Sequence, residues 1–388
     1  MKFYDAITSQ RIKVGHSVCG DYYLCEKQID GTLYIVCDGI GSGIYANIAA
    51  ISCASRLREH VRNGVSLRVA VEMTAASMHR ARSERIPFAA FSAVFIHVDG
   101  NFDVYTYEAP EAIMISKGYV RIMKPTFFSA GYEVVGEASG MLELGDSIIL
   151  STDGITQAGM GHGLNFGIGI EEVAKFTSRY IAGNNPLEDL PTHLTDMCAS
   201  VSAGQFEDDT TSALIICRSA AEITILTGPP LHKARDRDCI RDFMAMPGTK
   251  IVIGSTTIDI LARETGRGAV LKHMSTSFSS PPEYEVEGID LATEGAVMLN
   301  QVYNILGEEY EGDNDDAESN DVDRGVVERF CAMLLKADVI HFFIGDSLNE
   351  AHSTRIFKQM GILPRKQVVT GIIAKLRRMG KLVTEKSY

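Results

Sequence analysis

Four aspartates in the first half of the sequence lie at the ends of apolar runs: Asp21, Asp38, Asp153 and Asp208. Each of them adjoins a glycine, a second acid or a small hydroxyl residue. An acid beside a strand is held by a rigid element, and a neighbouring glycine lets an ion or another backbone come close. Carboxylate oxygens suit Mg²⁺ or Mn²⁺ and disfavour zinc or copper. The pattern therefore favours a fold that gathers these acids around Mg²⁺ or Mn²⁺.

A turn is the competing interpretation of each aspartate. Asp-Gly is a very common turn dipeptide, so any one of the four, taken alone, is more simply explained as structural. Their repetition in one region, with Gly41-Ser42-Gly43 opening a predicted helix, is much less expected by chance. The set as a whole therefore favours a site.

The first half of the chain reads as strands with helices inserted between them. Apolar runs predict strands, and residues spaced by three and four predict helices. The predicted strands are Thr32–Cys37, Ala89–Val98, Phe102–Tyr107, Asp146–Leu150 and Thr211–Cys217, and the predicted helices are Tyr45–Val61, Leu67–Arg82, Ile170–Ile181 and Leu187–Val201. Strands that dominate the middle with helices beside them indicate an α+β sandwich.

A domain boundary is predicted near Arg218–Glu222, which divides the chain into residues 1–218 and 219–388. Strands and helices alternate after it, and this alternation favours a smaller α/β domain. The predicted strands are Ile223–Leu226, Lys250–Ile253 and Val339–Phe343, and the predicted helices are His232–Met244, Ile258–Arg263, Ala292–Leu306 and Val326–Lys336. An acidic insert at 308–323 is expected to be a solvated loop. The basic stretch Lys366–Lys381 is expected to be a docked helix.

Composition narrows the class of protein. The 388 residues are 45% apolar and 22% charged, and no apolar run is long enough for a bilayer span. A net charge of −13 argues against nonspecific nucleic-acid binding. The eight cysteines form no CxxC pair, and the first residues lack the apolar core of a signal peptide. These features predict a cytoplasmic protein with reduced thiols, without a membrane or nucleic-acid partner.

The series of acidic motifs resembles the PP2C-like (PPM) metal-dependent protein phosphatases, in particular the bacterial sporulation stage II protein E branch. The motifs are Gly20-Asp21, Asp38-Gly39-Ile40-Gly41-Ser42-Gly43, Leu144-Gly145-Asp146, Ser151-Thr152-Asp153-Gly154-Ile155-Thr156-Gln157-Ala158 and Asp208-Asp209-Thr210-Thr211. The resemblance covers about residues 14–217, and order and spacing both agree. It implies an αββα sandwich, two central sheets flanked by helices.

The resemblance also implies the roles of individual residues. Asp38 would bridge two Mn²⁺ or Mg²⁺ ions, and the Gly39 carbonyl would join one of them. Asp21 would hold one ion, while Asp153 and Asp208 would hold the other. A pair of ions about 3.5–4 Å apart lowers the pKa of a bridging water and screens the phosphoryl oxygens, so that water attacks in line. Asp38 and Asp21 are the predicted catalytic acids, with Asp38 the most sensitive.

Two positions depart from the family pattern. Where animal members place an arginine that grips phosphate, this chain has His16, with Lys13 and Arg11 further back. Phosphate binding is therefore expected to depend mainly on the metals. Gln157 stands where an acid is common, which speaks against a third ion. His16 and His162 are the available proton donors, although each is more often simply a hydrogen-bonded surface histidine.

The second half offers a weaker candidate site. Ser255 and Thr256 follow a predicted strand, where backbone amides at a helix start could hold a phosphate or carboxylate. The alternative interpretation is an ordinary hydroxyl N-cap. Further strand-end clusters, Gly288-Ile289-Asp290, Thr293-Glu294-Gly295 and Ile344-Gly345-Asp346, could line the same crevice.

Three functions remain open from the sequence. The first is metal-dependent hydrolysis of phosphoserine or phosphothreonine in a signalling protein, such as a phosphorylated anti-sigma-factor antagonist. In that case the C-terminal domain is regulatory, and a homodimer is conceivable because members of the branch are often switched by dimerisation. The second is a non-catalytic regulator that keeps the fold and binds a partner or nucleotide. The third is a hydrolase of small phosphoesters. The presence of all four acids favours a catalytic protein.

Overall fold

The computed structural model describes residues 1–273, 281–306, 325–347 and 362–388. The chain divides into two compact units, unit 1 (Met1–Ser219) and unit 2 (Ala220–Tyr388). No helix in these described segments combines the length and the apolar character needed to cross a membrane. The acidic insert predicted at 308–323 lies outside the described residues.

Unit 1 is built from two antiparallel sheets and the helices that cover them. Its strands are β1 (Lys2–Arg11), β2 (Asp21–Lys27), β3 (Gly31–Gly39), β4 (Ala89–His97), β5 (Asn101–Tyr107), β6 (Ile113–Ser116), β7 (Tyr119–Ile122), β8 (Thr126–Ala130), β9 (Glu133–Met141), β10 (Ser147–Ser151) and β11 (Thr210–Ser219). Its helices are α1 (Gly43–Arg62), α2 (Leu67–Ser83), the single turn α3 (Asp153–Thr156), α4 (Gly169–Ala182) and α5 (Leu190–Val201).

The two sheets of unit 1 stack face to face. One has the strand order β1-β11-β10-β6-β7 and the other has the order β2-β3-β4-β5-β9-β8. Side chains from both sheets, among them Val36 of β3 and Ile148 of β10, form one buried cluster between them. Strand β3 is buried almost throughout, which explains why its sequence is a continuous apolar run rather than an alternating one.

Helices cover the outer faces of both sheets. Helix α1 buries Ala46, Ala50, Ala54 and Leu57, residues four and three apart that share one face. This face packs with α2 against the sheet that contains β3. Helices α4 and α5 pack in the same way against the sheet that contains β10. The layers are therefore helix, sheet, sheet, helix, and the predicted αββα sandwich is confirmed.

Unit 2 is a single mixed sheet with helices on both faces. Its strands are β12 (Glu222–Thr227), β13 (Thr249–Ile253), β14 (Ala269–His273), β15 (Glu283–Val286), β16 (Ile289–Thr293), β17 (Val339–Ile344) and β18 (Leu382–Ser387). Its helices within the described segments are α6 (Asp236–Ala245), α7 (Ser255–Thr265), α8 (Ala296–Ile305), α9 (Val326–Lys336) and α10 (Arg365–Arg378).

The sheet of unit 2 has the order β14-β15-β16-β13-β12-β17-β18. The neighbouring strands β16, β13, β12, β17 and β18 are parallel, and β14 and β15 add an antiparallel edge. Helices α6 and α7 pack on one face and α8, α9 and α10 on the other. This is a doubly wound sheet whose strand order reverses between β12 and β17. The α/β class predicted for this part of the chain is therefore confirmed.

Two sequence predictions for unit 2 are wrong in detail. The helix predicted at Ala292–Leu306 begins only at Ala296, because Ala292 and Thr293 complete strand β16 beside β13. An apolar run this short fits a buried strand and a buried helix equally well. The basic stretch Lys366–Lys381 does contain a helix, but the chain then returns to the sheet as β18, which the sequence analysis missed.

Candidate metal centre

Strands β2 and β3 bring the first two predicted metal ligands side by side. Asp21 is the first residue of β2 and Asp38 is the last but one of β3, and the antiparallel register makes them direct partners. Helix α1 starts four residues beyond Gly39. A β-carbon on Gly39 would overlap the backbone carbonyl of Ala46, so this close approach of helix and strand requires glycine.

Asp21 is held by hydroxyl groups from the opposite sheet. It is 3% exposed, and its Oδ2 accepts hydrogen bonds from the hydroxyls of Thr152 (2.8 Å) and Thr211 (2.6 Å). The other oxygen, Oδ1, is buried without a hydrogen-bond partner among the described residues. Burial raises the pKa of Asp21 to about 7, against the two threonine hydrogen bonds, which lower it. One carboxylate oxygen is therefore fixed and the other is left for a ligand.

Asp38 and Asp153 face each other across a small cleft between the sheets. Both line it, together with Glu108 and the backbone around Ser151 and Thr152. Burial, the charges of Asp21 and Asp153, and a hydrogen bond with Asp153 raise the pKa of Asp38 to about 10. Asp208 contributes a further negative charge. Like charges this close destabilise one another unless a proton or a cation lies between them.

A close approach of two chain segments also fixes Asp153 and Asp208. Asp153 opens the short helix α3, directly after β10. A β-carbon on Gly154 would overlap the carbonyl of Asp209, so only glycine lets α3 approach the start of β11. Asp153 accepts a hydrogen bond from Gln157 (2.7 Å) on Oδ2, while its Oδ1 is buried without a partner among the described residues.

Lys13 is the cation that reaches the acids. Its ammonium group lies 3.4 Å from Oδ1 of Asp208. Burial raises the pKa of Asp208 and the charge of Lys13 lowers it. From the sequence, Lys13 was noted only as a residue further back than His16, because distance along the chain hides the turn that brings Lys13 to Asp208. His16 instead is exposed, and its ring lies against Gly43 at the start of α1.

Asp209 is a structural member of the centre that the sequence analysis quoted but did not assign. It is 4% exposed and accepts two backbone hydrogen bonds, from the N–H of Lys13 (3.0 Å) and from the N–H of Gly20 (2.8 Å). Both bonds cross more than 180 residues of sequence. Asp209, the residue after Asp208, is thus bonded directly to the backbone of Gly20, the residue before Asp21.

Glu108 is a second carboxylate that the sequence reasoning missed. It lines the same cleft as Asp38 and Asp153, has a positive φ of 50°, and pairs with Arg82. The segment around it, Tyr107-Glu108-Ala109-Pro110, contains no glycine beside the acid, which was the signal used to find the others.

The predicted metal ligands fit divalent cations by donor type. Four acids from four chain segments contribute oxygens, and Asp21 and Asp153 each offer one buried oxygen with no partner among the described residues. In the segments that the structure describes, however, no three His, Cys, Asp or Glu side chains are already arranged around one ion position. Gln157 and Lys13 contact oxygens of Asp153 and Asp208, so an ion at those two oxygens would replace these contacts.

His162 lies in the glycine-rich segment after α3. Its Nε2 is 2.8 Å from Oε1 of Glu207, the residue before Asp208, and the pair is exposed. This contact agrees with the hydrogen-bonded surface histidine that the sequence analysis weighed against a proton donor. The catalytic role of His162, like that of His16, stays a prediction.

Ser255 and Thr256 belong to unit 2. They are the first two residues of α7 and both are exposed. The N-cap position is occupied by Gly254 with a φ of 116°, and no side chain caps the helix. The hydroxyl N-cap interpretation of these two residues is therefore wrong, while an anion at the helix start stays a prediction.

The αββα sandwich with an acid cluster where its two sheets meet is the PP2C-like fold. Residues 29–218, just under half of the chain, match the family model described as Stage II sporulation protein E (SpoIIE). The match ends at the boundary between the two units, so it says nothing about unit 2.

Solved structures with a similar fold are distant in sequence. The PP2C phosphatase domain and a fragment of the regulatory domain of SpoIIE from Bacillus subtilis is 18% identical, with a TM-score of 0.47, over 56% of this chain and 62% of that chain. The RsbU and RsbW domains of a Mycobacterium tuberculosis protein are 18% identical, with a TM-score of 0.48, over 62% and 70%. The catalytic domain of the serine/threonine phosphatase PstP, in complex with two manganese ions, is 11% identical, with a TM-score of 0.41, over 56% and 100%. A search of curated protein sequences gave no match.

Proposed function

We propose that unit 1 is a Mn²⁺- or Mg²⁺-dependent phosphatase that hydrolyses phosphoserine or phosphothreonine in a protein. One observation carries the proposal: acids from four separate chain segments converge between the two sheets, and Asp21 and Asp153 keep a buried oxygen free there. Buried carboxylate oxygens without hydrogen-bond partners destabilise the fold, and divalent cations bind such oxygens. The match of residues 29–218 to the SpoIIE family model supports the same activity.

Each acid has a distinct role in this proposal. Asp38, whose charge interacts with those of Asp21 and Asp153, would contact both ions. Asp21 would hold one ion with Oδ1, because Thr152 and Thr211 already orient its other oxygen. Asp153 and Asp208 would hold the second ion. Two bound divalent ions would supply an activated water and screen the charge of the phosphoryl oxygens.

The other residues position this centre or the substrate. Asp209 fixes the backbone beside Asp21, and Lys13, next to Asp208, would be available to the phosphate once ions neutralise the acids. His162, paired with Glu207, is the candidate that would protonate the leaving alkoxide. His16, at the start of α1, would contact the phosphate.

The test is hydrolysis of p-nitrophenyl phosphate and of a phosphoserine peptide in Mn²⁺, Mg²⁺ or EDTA. We expect activity that requires the metal and falls at least about a thousandfold in Asp38→Asn, because Asn keeps the size of the side chain but not the charge that holds the ions. Asp30→Asn, in an exposed turn between β2 and β3, is the matched control and should keep full activity.

Two outcomes would contradict the proposal. Activity in EDTA equal to that in Mn²⁺ would exclude metal-dependent catalysis. Equal loss in Asp38→Asn and Asp30→Asn would show that general destabilisation, and not the charge at the centre, caused the effect. A nucleotide hydrolysed faster than the phosphopeptide would instead favour a hydrolase of small phosphoesters.

The substrate class follows from the family and not from the geometry. A cytoplasmic signalling phosphoprotein, such as a phosphorylated anti-sigma-factor antagonist, is the proposed partner, and a homodimer is the proposed active form. Incubating the protein with phosphorylated candidate antagonists and following phosphate release by mass spectrometry would identify the substrate.

One observation favours a second candidate, a regulator that keeps the fold without catalysis. Gln157 and Lys13 already occupy oxygens of Asp153 and Asp208. If these contacts hold the acids permanently, the centre needs no ion. Calorimetric titration with Mn²⁺ decides between the two: heat of binding supports the enzyme, and its absence supports the regulator.

A further inference from the structure

The carboxyl edge of the sheet in unit 2 contains a half-buried cation. Arg365 is the first residue of α10, and its guanidinium donates to the carbonyls of Gly345 (2.6 Å) and Ser347 (2.8 Å). A β-carbon on Gly228 would overlap this guanidinium, so the side chain fills the space above the end of β12. Its Nε is buried and has no hydrogen-bond partner among the described residues.

No acid in the described segments pairs directly with Arg365. Asp346 is near enough to influence it, but the ammonium of Lys366 already lies 3.0 Å from Oδ1 of Asp346. Burial lowers the pKa of Arg365, while the charge of Asp346 raises it. The hydrogen bonds of the guanidinium go to neutral carbonyl oxygens, and a partly desolvated cation of this kind is stabilised when an anion binds beside it.

Helix α10 adds to the same positive field. Its first turn contains no acid and two cations, Arg365 and Lys366. Cations at a helix N-terminus oppose the helix dipole, so this arrangement is unfavourable by itself and favourable for an anion. The first N–H groups of the turn also point out of the helix without intrahelical partners.

A buried hydroxyl group belongs to the residue before Gly228. Thr227, the last residue of β12, is fully buried, and its Oγ1 has no partner among the described residues. Ile223 and Ile225, two and four residues earlier, pack in the cluster that includes Ile372 of α10. Because side chains alternate along a strand, Thr227 faces the layer that contains α10.

Topology places these groups where doubly wound sheets bind ligands. Strand order reverses between β12 and β17, and such a switch point at the carboxyl edge is the usual binding crevice. The loop after β12 cannot supply a glycine-rich phosphate cradle, because Pro229 and Pro230 have no N–H. Helix α6 starts with Asp236 and Asp238, which repel anions. Only the α10 side of the switch point suits an anion.

We infer that unit 2 binds a phosphate group at this switch point, held by Arg365, the hydroxyl of Thr227 and the first N–H groups of α10. Three kinds of donor at the same edge of the sheet suit the tetrahedral, doubly charged phosphate better than a planar carboxylate. The site is distinct from the metal centre of unit 1 and does not depend on the function proposed for it.

Calorimetric titration of the full chain with sodium phosphate tests this site. EDTA is present, so that metal-dependent phosphate binding in unit 1 does not contribute. We expect wild-type protein to bind phosphate, Arg365→Gln to bind at least about a hundredfold more weakly, and Thr227→Val about tenfold more weakly, since a charged acceptor loses one donor. Arg378→Gln, which removes an exposed cation at the other end of α10, is the matched control and should bind like wild type, and Ser255→Ala tests the alternative anion site at the start of α7.

Thr227→Val also guards against a folding artefact, because valine has the shape of threonine and removes only the buried hydroxyl. Without phosphate, its melting temperature should equal or exceed that of wild type. A lower value would show that the hydroxyl already has a partner, and this would overturn the inference.

Further outcomes separate the possible ligands. Equal binding of acetate at the same ionic strength would overturn the assignment to phosphate, as would equal affinity of wild type and Thr227→Val or no binding at all. Weakening by Ser255→Ala alone would move the site to α7. Tighter binding of AMP than of inorganic phosphate would identify a phosphate ester as the ligand, and the reverse would identify the free ion.

Discussion

In unit 1 four acids meet between two antiparallel sheets, whereas in unit 2 one arginine lies at the carboxyl edge of the parallel strands of a mixed sheet. Both regions bury charge of one sign that the described side chains do not neutralise. The acids of unit 1 adjoin glycines, threonines or other acids in recognisable motifs. Arg365, Thr227 and Gly228 of unit 2 come from distant segments with no motif in common. Motif reading therefore detects the first kind of site and misses the second.

The largest effect is expected at Gly39, the glycine that lets helix α1 approach the strand of Asp38. Gly39→Ala should destabilise unit 1 by at least about 3 kcal/mol, because the new methyl group overlaps the backbone of Ala46, which cannot move without shifting α1. Urea unfolding measures the loss. Gly268→Ala, at a position with open space around it, is the control and should change stability little. Equal effects of both substitutions would contradict the packing argument.

A second prediction concerns which unit each ion stabilises. Mn²⁺ at a hundred times its dissociation constant should stabilise unit 1 by about 2.7 kcal/mol and leave unit 2 unchanged. Differential scanning calorimetry of the full chain would show this as a shift of one transition. Asp38→Asn should abolish the shift. If Mn²⁺ stabilises the variant as much as wild type, the ion binds elsewhere.

A smaller effect is expected from the residue that ties the centre together. Asp209→Ala should destabilise unit 1 by about 2 kcal/mol, since the buried N–H groups of Lys13 and Gly20 lose their acceptor. Asp209→Asn keeps one acceptor oxygen and should lose about half as much. Chemical denaturation of the three proteins gives the series. A larger loss in the Asn variant than in the Ala variant would refute the role of Asp209 as an acceptor.

The smallest effect should appear on acidification of unit 2. Burial lowers the pKa of His341, against the charge and hydrogen bond of Glu222, while Lys250 lowers it further and Thr384 contacts Nδ1. Because the folded pKa lies below the unfolded value of about 6.5, the unfolded chain takes up the proton first. Stability from this group is complete above that value and is lost as pH falls below it.

Denaturant unfolding between pH 7.5 and 5 measures this loss for the transition of unit 2. His341→Gln should flatten the pH dependence, and His162→Gln, at an exposed position in unit 1, should not change it. A variant of His341 with the wild-type profile would assign the pH dependence to another group.

Sequence reasoning reached most of the elements and only part of the site. The strand Thr32–Cys37 and the helix Leu67–Arg82 differ from β3 and α2 by at most two residues at each end, because a long periodic or continuous apolar run has one simple explanation. The sequence did not predict six strands of unit 1 (β1, β2, β6, β7, β8 and β9) or strands β14, β15, β16 and β18 of unit 2. In β1 and β7 the mixed sequences show no clear alternation. The predicted helix start at Ala292 is wrong, because the apolar residues there fit a strand and a helix equally well.

The sequence alone determined that carboxylate oxygens are available to bind a cation. It also determined that glycines accompany Asp21, Asp38 and Asp153, because these are properties of single or adjacent residues. Tertiary structure alone decided that Thr152 and Thr211 orient Asp21, over 131 and 190 residues of chain, and that Asp209 holds the backbone on both sides. It alone also placed Thr227 and Arg365 at one switch point. Sheet pairing brings such residues together through backbone hydrogen bonds that every residue except proline can form, so no local pattern records the contact.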